Sequence, residues 1–205
     1  MNELVKFFVV LFVVVDPASL APLFASMTEG ANAGYRRRMA IKSSSIALLI
    51  LALFAVGGSN FIVLMGISID AFRIGGGIML FLIALDMVFA REEKTTSAEK
   101  AETRLRADIS VFPLAFPLIA GPGTLATVLL SFGSVPRSPL LFAGMLIVMV
   151  LVIAVALASM LATPLVMRVL GVTGSNVVGR LSGVILAALG VQYVIDGLKG
   201  AFTLG

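Results

Sequence analysis

The segment VVVDPASLAPLF, residues 13–24, places a carboxylate and a proline inside the apolar run 4–27. A carboxylate in hydrocarbon is costly and is kept where it is paired, solvated or functional. Pro17 has no amide hydrogen and clashes with the preceding helical turn, but it is well suited to begin a helix. Asp16 is a favourable N-cap for that helix. The segment therefore predicts a helix that is broken within the membrane.

A second segment, PLAFPLIAGPGTLA at 113–126, repeats this arrangement with different chemistry. Aligning 13–26 with 118–131 at an offset of 105 pairs proline with proline and Ser19 with a threonine. The residues at the second predicted break are Gly121, Pro122, Gly123 and Thr124. The second break has no anion of its own, so its helix start can receive one.

The composition identifies the medium around these segments as lipid. Of 205 residues, 60% are hydrophobic and 13% are charged, and the mean hydropathy is +1.12. Six apolar runs are long enough to cross a hydrocarbon core of roughly 30 Å. They span residues 4–27, 40–58, 69–90, 109–132, 139–165 and 175–198. We predict an all-α membrane protein with six transmembrane helices, of which the first and fourth are discontinuous.

The repeat extends to the third and sixth runs, where RIGGGIMLFL at 73–82 resembles RLSGVILAAL at 180–189 at an offset of 107. Three spans per half force the second copy to enter the membrane upside down. We therefore predict a single transmembrane domain, 1–205, made of two inverted three-helix repeats. The repeats cover about 1–90 and 109–205, and a cytoplasmic linker, 91–108, joins them.

Small residues in the same two runs predict close helix packing. They are Gly75, Gly76 and Gly77 in the third run and Ser182 and Gly183 in the sixth. Such faces also allow one repeat to slide against the other.

The distribution of lysine and arginine predicts the orientation. When the loops are assigned alternately to the two sides of the membrane, one side carries eleven basic residues and the other four. Because the more basic side faces the cytoplasm, we expect a protein of the plasma (inner) membrane with both termini outside the cytoplasm. The pI of 9.9 reflects these loops, so we expect no nucleic acid partner. Lys6 precedes an apolar run as in a leader peptide, but the run continues past Pro17, and we expect a retained span.

Inverted repeats with paired broken helices are a common design of secondary transporters. We expect the second break to bind a substrate carboxylate, and Asp16 to meet an ammonium group, a coupling proton or Na⁺. A zwitterion, such as a small neutral amino acid, fits this pair. The predicted substrate-binding residues are Asp16, Pro17, Ala18, Ser19, Gly121, Pro122, Gly123 and Thr124, with Asp16 also coupling the ion.

Other classes of function fit less well. The chain has no cysteine or histidine, so thiolate and imidazole chemistry is excluded, and we expect no metal or cofactor. An intramembrane aspartyl protease needs two adjacent aspartates, and Asp16 and Asp86 are expected at different depths. A channel needs a more polar path. The sequence leaves three other functions open: export of other small metabolites or drugs, lipid-headgroup handling, and a non-transporting membrane enzyme. It also leaves open that the protein forms a homo-oligomer.

The motifs DPASLAPLF, AFRIGGGIMLFLIAL (71–85) and PLAFPLIAGPGTLA resemble the signature segments of the MarC family of integral membrane proteins. The resemblance covers nearly the whole chain. It implies six spans in two inverted repeats and, for members with an assigned activity, transport of small neutral amino acids. The family's first motif usually reads Asp-Pro-x-Gly-Asn, whereas this chain has Ser19 and Leu20 at the last two positions. A larger or more apolar amino acid, or export, is therefore an alternative.

Overall fold

The computed structural model describes residues 3–28, 30–89, 108–133 and 138–203. These ranges are helical and contain no strand. Residues 91–107 of the predicted linker lie outside the described residues. The helical segments are α1 (Glu3–Val15), α2 (Pro17–Met27), α3 (Ala33–Leu64), α4 (Ile69–Phe89), α5 (Ser110–Ile119), α6 (Pro122–Gly133), α7 (Pro139–Leu161) and α8 (Thr163–Thr203).

The described helices provide five segments long and apolar enough to cross a membrane, or six when α5 and α6 are counted as one span. The five are Glu3–Met27, Ala33–Leu64, Ile69–Phe89, Pro139–Leu161 and Asn176–Phe202. They correspond to the apolar runs in the sequence, so the prediction of an all-helical, multi-pass architecture is confirmed. The side chains of Leu53 and Ile147 are 64% and 61% exposed, as expected of surfaces that face lipid.

The helices pack around two separate cores. The larger core joins α1, α2, α3, α5, α6 and α7, and its fully buried side chains include Leu51, Leu114 and Met149. The smaller core lies between α4 and α8 and consists of Leu80, Ala84 and Leu186. The two cores are connected mainly where α8 packs on α2 and α4 packs on α6, with smaller contacts of α8 on α1 and α7 and of α4 on α3.

The two halves of the chain interlock. α4 packs along α8, α3 packs on α5, α6 and α7, and α7 also packs on α1 and α2. Each of these pairs joins a helix from the first half to a helix from the second. The chain therefore buries its apolar surface mainly between its halves rather than within either one.

Glycines bring α4 and α8 into backbone contact. Three glycines of α8, spaced by seven residues, each face a backbone carbonyl oxygen of α4. The pairs are Gly183 with Ala84, Gly190 with Gly77, and Gly197 with Asp70, and a Cβ on each glycine would lie 3.1, 2.7 and 2.9 Å from the carbonyl oxygen. The two helices are antiparallel, and no side chain larger than hydrogen fits at these positions without a shift.

The predicted small faces are thus confirmed for two residues of this helix pair, Gly77 and Gly183. Gly76 instead faces α6, where a Cβ would lie 2.7 Å from the Cβ of Ala126. Gly75 does not take part in close packing, since an added Cβ would have no atom within 4 Å.

Candidate functional site

The helix of the first span is interrupted at Asp16. The last bond of α1 runs from the Asp16 amide to the Phe12 carbonyl oxygen (3.0 Å), and the first bond of α2 runs from the Leu20 amide to the Asp16 carbonyl oxygen (3.1 Å). Asp16 itself has φ 43° and ψ 69°, in the left-handed region. Aspartate tolerates this region better than most residues. Pro17 then starts α2, and its fixed φ suits the first helical position.

The carboxylate of Asp16 is buried at the break. Asp16 is 8% exposed. Its Oδ1 accepts a hydrogen bond from the Ser19 amide at 3.4 Å, which caps α2. Its Oδ2 has no hydrogen-bond partner within the described part of the chain. A buried carboxylate oxygen retains its full capacity to accept a proton, bind a cation or receive an ammonium donor.

The break also changes the last carbonyl groups of α1. In a continuous helix the amides of residues 17, 18 and 19 would bond to the carbonyl oxygens of residues 13, 14 and 15. Pro17 has no amide hydrogen, and the amides of Ala18 and Ser19 face the Asp16 carboxylate instead. The end of α1 therefore presents carbonyl oxygens beside Asp16 whose usual donors are missing or turned away.

Neighbouring helices hold the first break from two sides. The Ser159 hydroxyl of α7 donates a hydrogen bond to the Pro17 carbonyl oxygen. On the other side, the Ser19 hydroxyl oxygen lies against Gly179 of α8, 2.8 Å from where a Cβ would be. The first break thus lies between the larger core and α8.

The second break separates α5 from α6, which are bent by 56°. α5 is irregular because the backbone is extended at Phe112 and Phe116. Each of these residues precedes a proline, and a following proline disfavours the helical conformation. Gly121 lies between the segments, and a Cβ there would collide with the Pro117 carbonyl oxygen. Glycine is therefore required for this tight turn.

The start of α6 points backbone amides into the protein. The first intrahelical bond is made by the Leu125 amide to the Gly121 carbonyl oxygen (2.9 Å). The amides of Gly123 and Thr124 come before it, so they have no acceptor in their own helix. Thr124 is 2% exposed, and its hydroxyl donates to the Ile119 carbonyl oxygen at 2.9 Å. The hydrogen bond from the Thr124 hydroxyl therefore stabilises the turn between α5 and α6.

The family model described as "MarC family integral membrane protein" matches residues 1–202. The chain belongs to the MarC family. It is 36% identical over 199 residues to the UPF0056 membrane protein YhcE of Escherichia coli (strain K12), covering 96% of this chain and 92% of that protein. It is 39% identical over 203 residues to the UPF0056 membrane protein YvbG of Bacillus subtilis (strain 168), covering 97% and 95%. No solved structure matches the chain significantly.

In this MarC family member, both breaks face the α4–α8 pair. Gly123 packs against Leu80 of α4, 2.5 Å from where a Cβ would be, and the same Cβ would lie 3.5 Å from Val14 of α1. Val14 is two residues before Asp16, so it connects the two breaks. The eight predicted site residues thus form two clusters, one beside α8 and one beside α4.

Sequence reasoning missed Ser159, because a single serine in an apolar helix carries no pattern. It also assigned no chemistry to Asp108, the last residue of the predicted linker. Asp108 forms an ion pair with Lys42 of α3 and accepts hydrogen bonds from the Ser110 amide (2.9 Å) and hydroxyl (2.5 Å). The hydrogen bond from Lys42 lowers the pKa of Asp108 most, and the two hydrogen bonds from Ser110 lower it further, so this pKa lies well below its usual range.

No group of three or more potential metal-binding side chains occurs among the residues that the structure describes.

Proposed function

We propose that this MarC family protein is a secondary transporter of small neutral amino acids, coupled to H⁺ or Na⁺, that binds its substrate between the two helix breaks. One observation carries the proposal. Asp16 is a buried carboxylate whose Oδ2 has no hydrogen-bond partner among the described residues, and it lies at a helix break inside a segment long and apolar enough to span a membrane. Ionisable groups in that setting mark ion and substrate pathways.

The two breaks have complementary charge for a zwitterion. The start of α6 offers the amides of Gly123 and Thr124, which have no acceptor in their own helix and suit a carboxylate. The first break offers the Asp16 carboxylate and the carbonyl oxygens at the end of α1, which suit an ammonium group or a small cation. Pro17, Ala18 and Ser19 form the first turn of α2, and Gly121 and Pro122 form the turn that aims the amides of α6.

The helix packing supports an inverted repeat. Exchanging the two halves converts the α2–α8 contact into the α6–α4 contact. It also converts the contacts of α3 with α5 and α6 into those of α7 with α1 and α2. In secondary transporters with such pseudo-two-fold repeats, broken helices lie near the middle of the membrane, where the substrate binds, and we extend this arrangement to the present chain. We further propose that the protein lies in the inner membrane with both termini outside the cytoplasm, and we assign it no enzymatic activity.

Transport by protein in liposomes tests the proposal. Labelled glycine, alanine, threonine and leucine are offered under separate H⁺ and Na⁺ gradients. Saturable, gradient-dependent accumulation of at least one of them is expected. Flux without saturation would indicate a channel, and uptake of leucine alone would favour a more apolar substrate. Movement of none of the four in either direction would contradict the proposal and leave other metabolites or lipid headgroups as ligands.

The role of Asp16 is tested by Asp16→Asn. Asparagine also caps helices and tolerates the left-handed region, so the substitution removes the charge while keeping the local backbone. Gradient-driven accumulation is expected to disappear. Asp86→Asn is the matched control, because Asp86 is exposed near the end of α4. Accumulation that survives Asp16→Asn unchanged would remove Asp16 from the mechanism.

A further inference from the structure

Two short connectors in the chain resemble each other at the repeat offset. LMGIS at 64–68 joins α3 to α4, and VLGVT at 169–173 precedes the membrane-spanning part of α8, Asn176–Phe202. The two motifs are 105 residues apart, the same offset that relates Pro17 to Pro122.

The glycine of each motif has a backbone conformation that other residues avoid. Gly66 has φ +75° and Gly171 has φ +61°, with ψ −176° at Gly171. The latter region is essentially restricted to glycine. An added Cβ at either position would have no atom of the described residues within 4 Å. The reason for glycine at these two positions is thus backbone conformation rather than space.

The two glycines lie at opposite ends of the α4–α8 pair. Gly66 precedes the start of α4, where Asp70 packs against Gly197 near the end of α8. Gly171 precedes the part of α8 where Gly183 packs against Ala84 near the end of α4. The pair is therefore attached to its own connectors by one positive-φ glycine at each end.

The α4–α8 pair is more tightly joined internally than to the remaining helices. Its glycines contact carbonyl oxygens of the partner backbone at three levels, and it has its own core. Its contacts with the helix breaks are local: Gly179 of α8 lies against Ser19, Gly76 of α4 lies against Ala126, and Leu80 of α4 lies against Gly123. Separating α4 from α8 would disrupt three backbone contacts at once, whereas tilting the pair would change mainly the contacts at the breaks.

We propose that α4 and Asn176–Phe202 of α8 move as one unit about Gly66 and Gly171, and that this movement opens and closes the two helix breaks. The purpose of this movement rests on the proposed transport function, but the movement itself can be measured without transport. Glycine can change φ and ψ at each connector without steric cost. At the first connector α4 keeps its own cap, because the Ala71 amide donates to the Ser68 hydroxyl oxygen (3.0 Å). The Ile67 amide bonds across Gly66 to the Ile62 carbonyl oxygen (3.0 Å), so this bond must open when the unit moves.

Distances between spin labels test the movement. The chain has no cysteine, so label pairs can be introduced directly. Labels at Leu82 of α4 and Ile195 of α8 measure a distance within the unit. Labels at Leu82 and at Leu151 of α7 measure the distance between the unit and the larger core. All three side chains are exposed. The protein is measured in lipid nanodiscs with and without Na⁺, at acidic and alkaline pH, and with and without a mixture of glycine, alanine and threonine.

We expect the Leu82–Leu151 distance to have two populations that differ by roughly 5 Å and change in proportion between conditions. The Leu82–Ile195 distance should keep one population throughout. A single, unchanging Leu82–Leu151 population would overturn the movement. A Leu82–Ile195 distance that changes as much as the other would overturn the single unit. Either result leaves the transport assay above to decide the proposed function separately.

Alanine substitutions test the two hinges. Gly66→Ala and Gly171→Ala should each reduce the Leu82–Leu151 distance to one population and slow transport roughly tenfold. Gly30→Ala is the control for strain, because Gly30 has φ +76° and open space but lies before α3. Gly57→Ala is the control for an added methyl group in open space without positive φ. Both controls should keep two populations; two populations in the hinge variants would overturn the assignment of the hinges.

Discussion

Gly190 of α8 packs directly on the backbone of Gly77 of α4. A Cβ on Gly190 would lie 2.7 Å from the Gly77 carbonyl oxygen, and a Cβ on Gly77 would lie 2.6 Å from the Gly190 carbonyl oxygen. The contact is reciprocal and involves backbone atoms on both sides, which cannot give way as a flexible side chain can. It sets the spacing of the two helices at the middle of their interface.

Gly190→Ala is therefore expected to destabilise the protein by about 1–3 kcal/mol, as overpacking usually does. Thermal unfolding in detergent, followed by circular dichroism, measures the effect. Gly75→Ala is the matched control, because Gly75 lies in the same helix pair with no atom within 4 Å of an added Cβ. It should be neutral or slightly stabilising, since alanine favours helices. Equal melting temperatures for the two variants would contradict the close contact.

The turn between α5 and α6 leads to a second prediction, for Gly121. Gly121→Ala would place a methyl group against the Pro117 carbonyl oxygen. The turn must then open, at a cost of about 1–3 kcal/mol, and the amides of α6 are turned away from their present direction. We expect a lower melting temperature and a loss of transport. Gly133→Ala is the control within α6, where a Cβ would lie 3.9 Å from Ser59 in ordinary contact. Full transport by Gly121→Ala would show that this break is not part of the site.

The hydrogen bond from Ser159 to the Pro17 carbonyl oxygen leads to a third prediction. Ser159→Ala removes the hydroxyl donor and leaves the half-buried Pro17 carbonyl oxygen without this hydrogen bond. We expect a loss of stability of about 1 kcal/mol and slower transport with little change in ion dependence, because Asp16 is retained. Ser26→Ala is the control, since the Ser26 hydroxyl is exposed and donates within its own helix, to the Leu23 carbonyl oxygen (2.8 Å). A wild-type transport rate in Ser159→Ala would show that α7 does not position the first break.

The Lys42–Asp108 ion pair leads to a prediction about pH. The pKa of Asp108 is lower in the folded protein than the value of about 3.9 expected in the unfolded chain. The pair therefore stabilises the protein above that unfolded value and loses its effect as the pH falls below it. Both partners are about two-fifths exposed, so the contribution is at most about 1 kcal/mol. The melting temperature of Asp108→Asn should lie slightly below that of the wild type, by the same amount throughout the neutral and mildly acidic range. A difference that disappears near neutral pH would contradict the lowered pKa.

Local chemistry in the sequence was sufficient to predict both helix breaks. Pro17 removes an amide hydrogen, Asp16 can cap the next helix, and Gly121 has no side chain to clash in a turn. These are properties of single residues and their immediate neighbours, so they can be read without knowing what packs around them. The apolar spans are equally local, because burial in lipid is a property of each run by itself. The repeat of LMGIS and VLGVT could also have been found in this way, at the offset already known from the prolines.

Contacts between distant residues could not be read from the sequence. The bond from Ser159 to Pro17 joins positions 142 residues apart, and the ion pair of Lys42 with Asp108 joins positions 66 apart. Small residues at 75–77 and 182–183 predicted close packing, but not that Gly77 meets Gly190 while Gly75 faces open space. Which side of a helix meets which neighbour depends on the register and rotation of both helices.

The sequence by itself therefore determined the medium and the spans, because each follows from the hydropathy of a short segment. The tertiary structure decided that the α4–α8 pair has its own core and that both breaks face it. The physical reason is that helices in lipid gain little from hydrophobicity when they meet each other. Close packing of small residues selects their partners, and that selection exists only when all the helices are assembled.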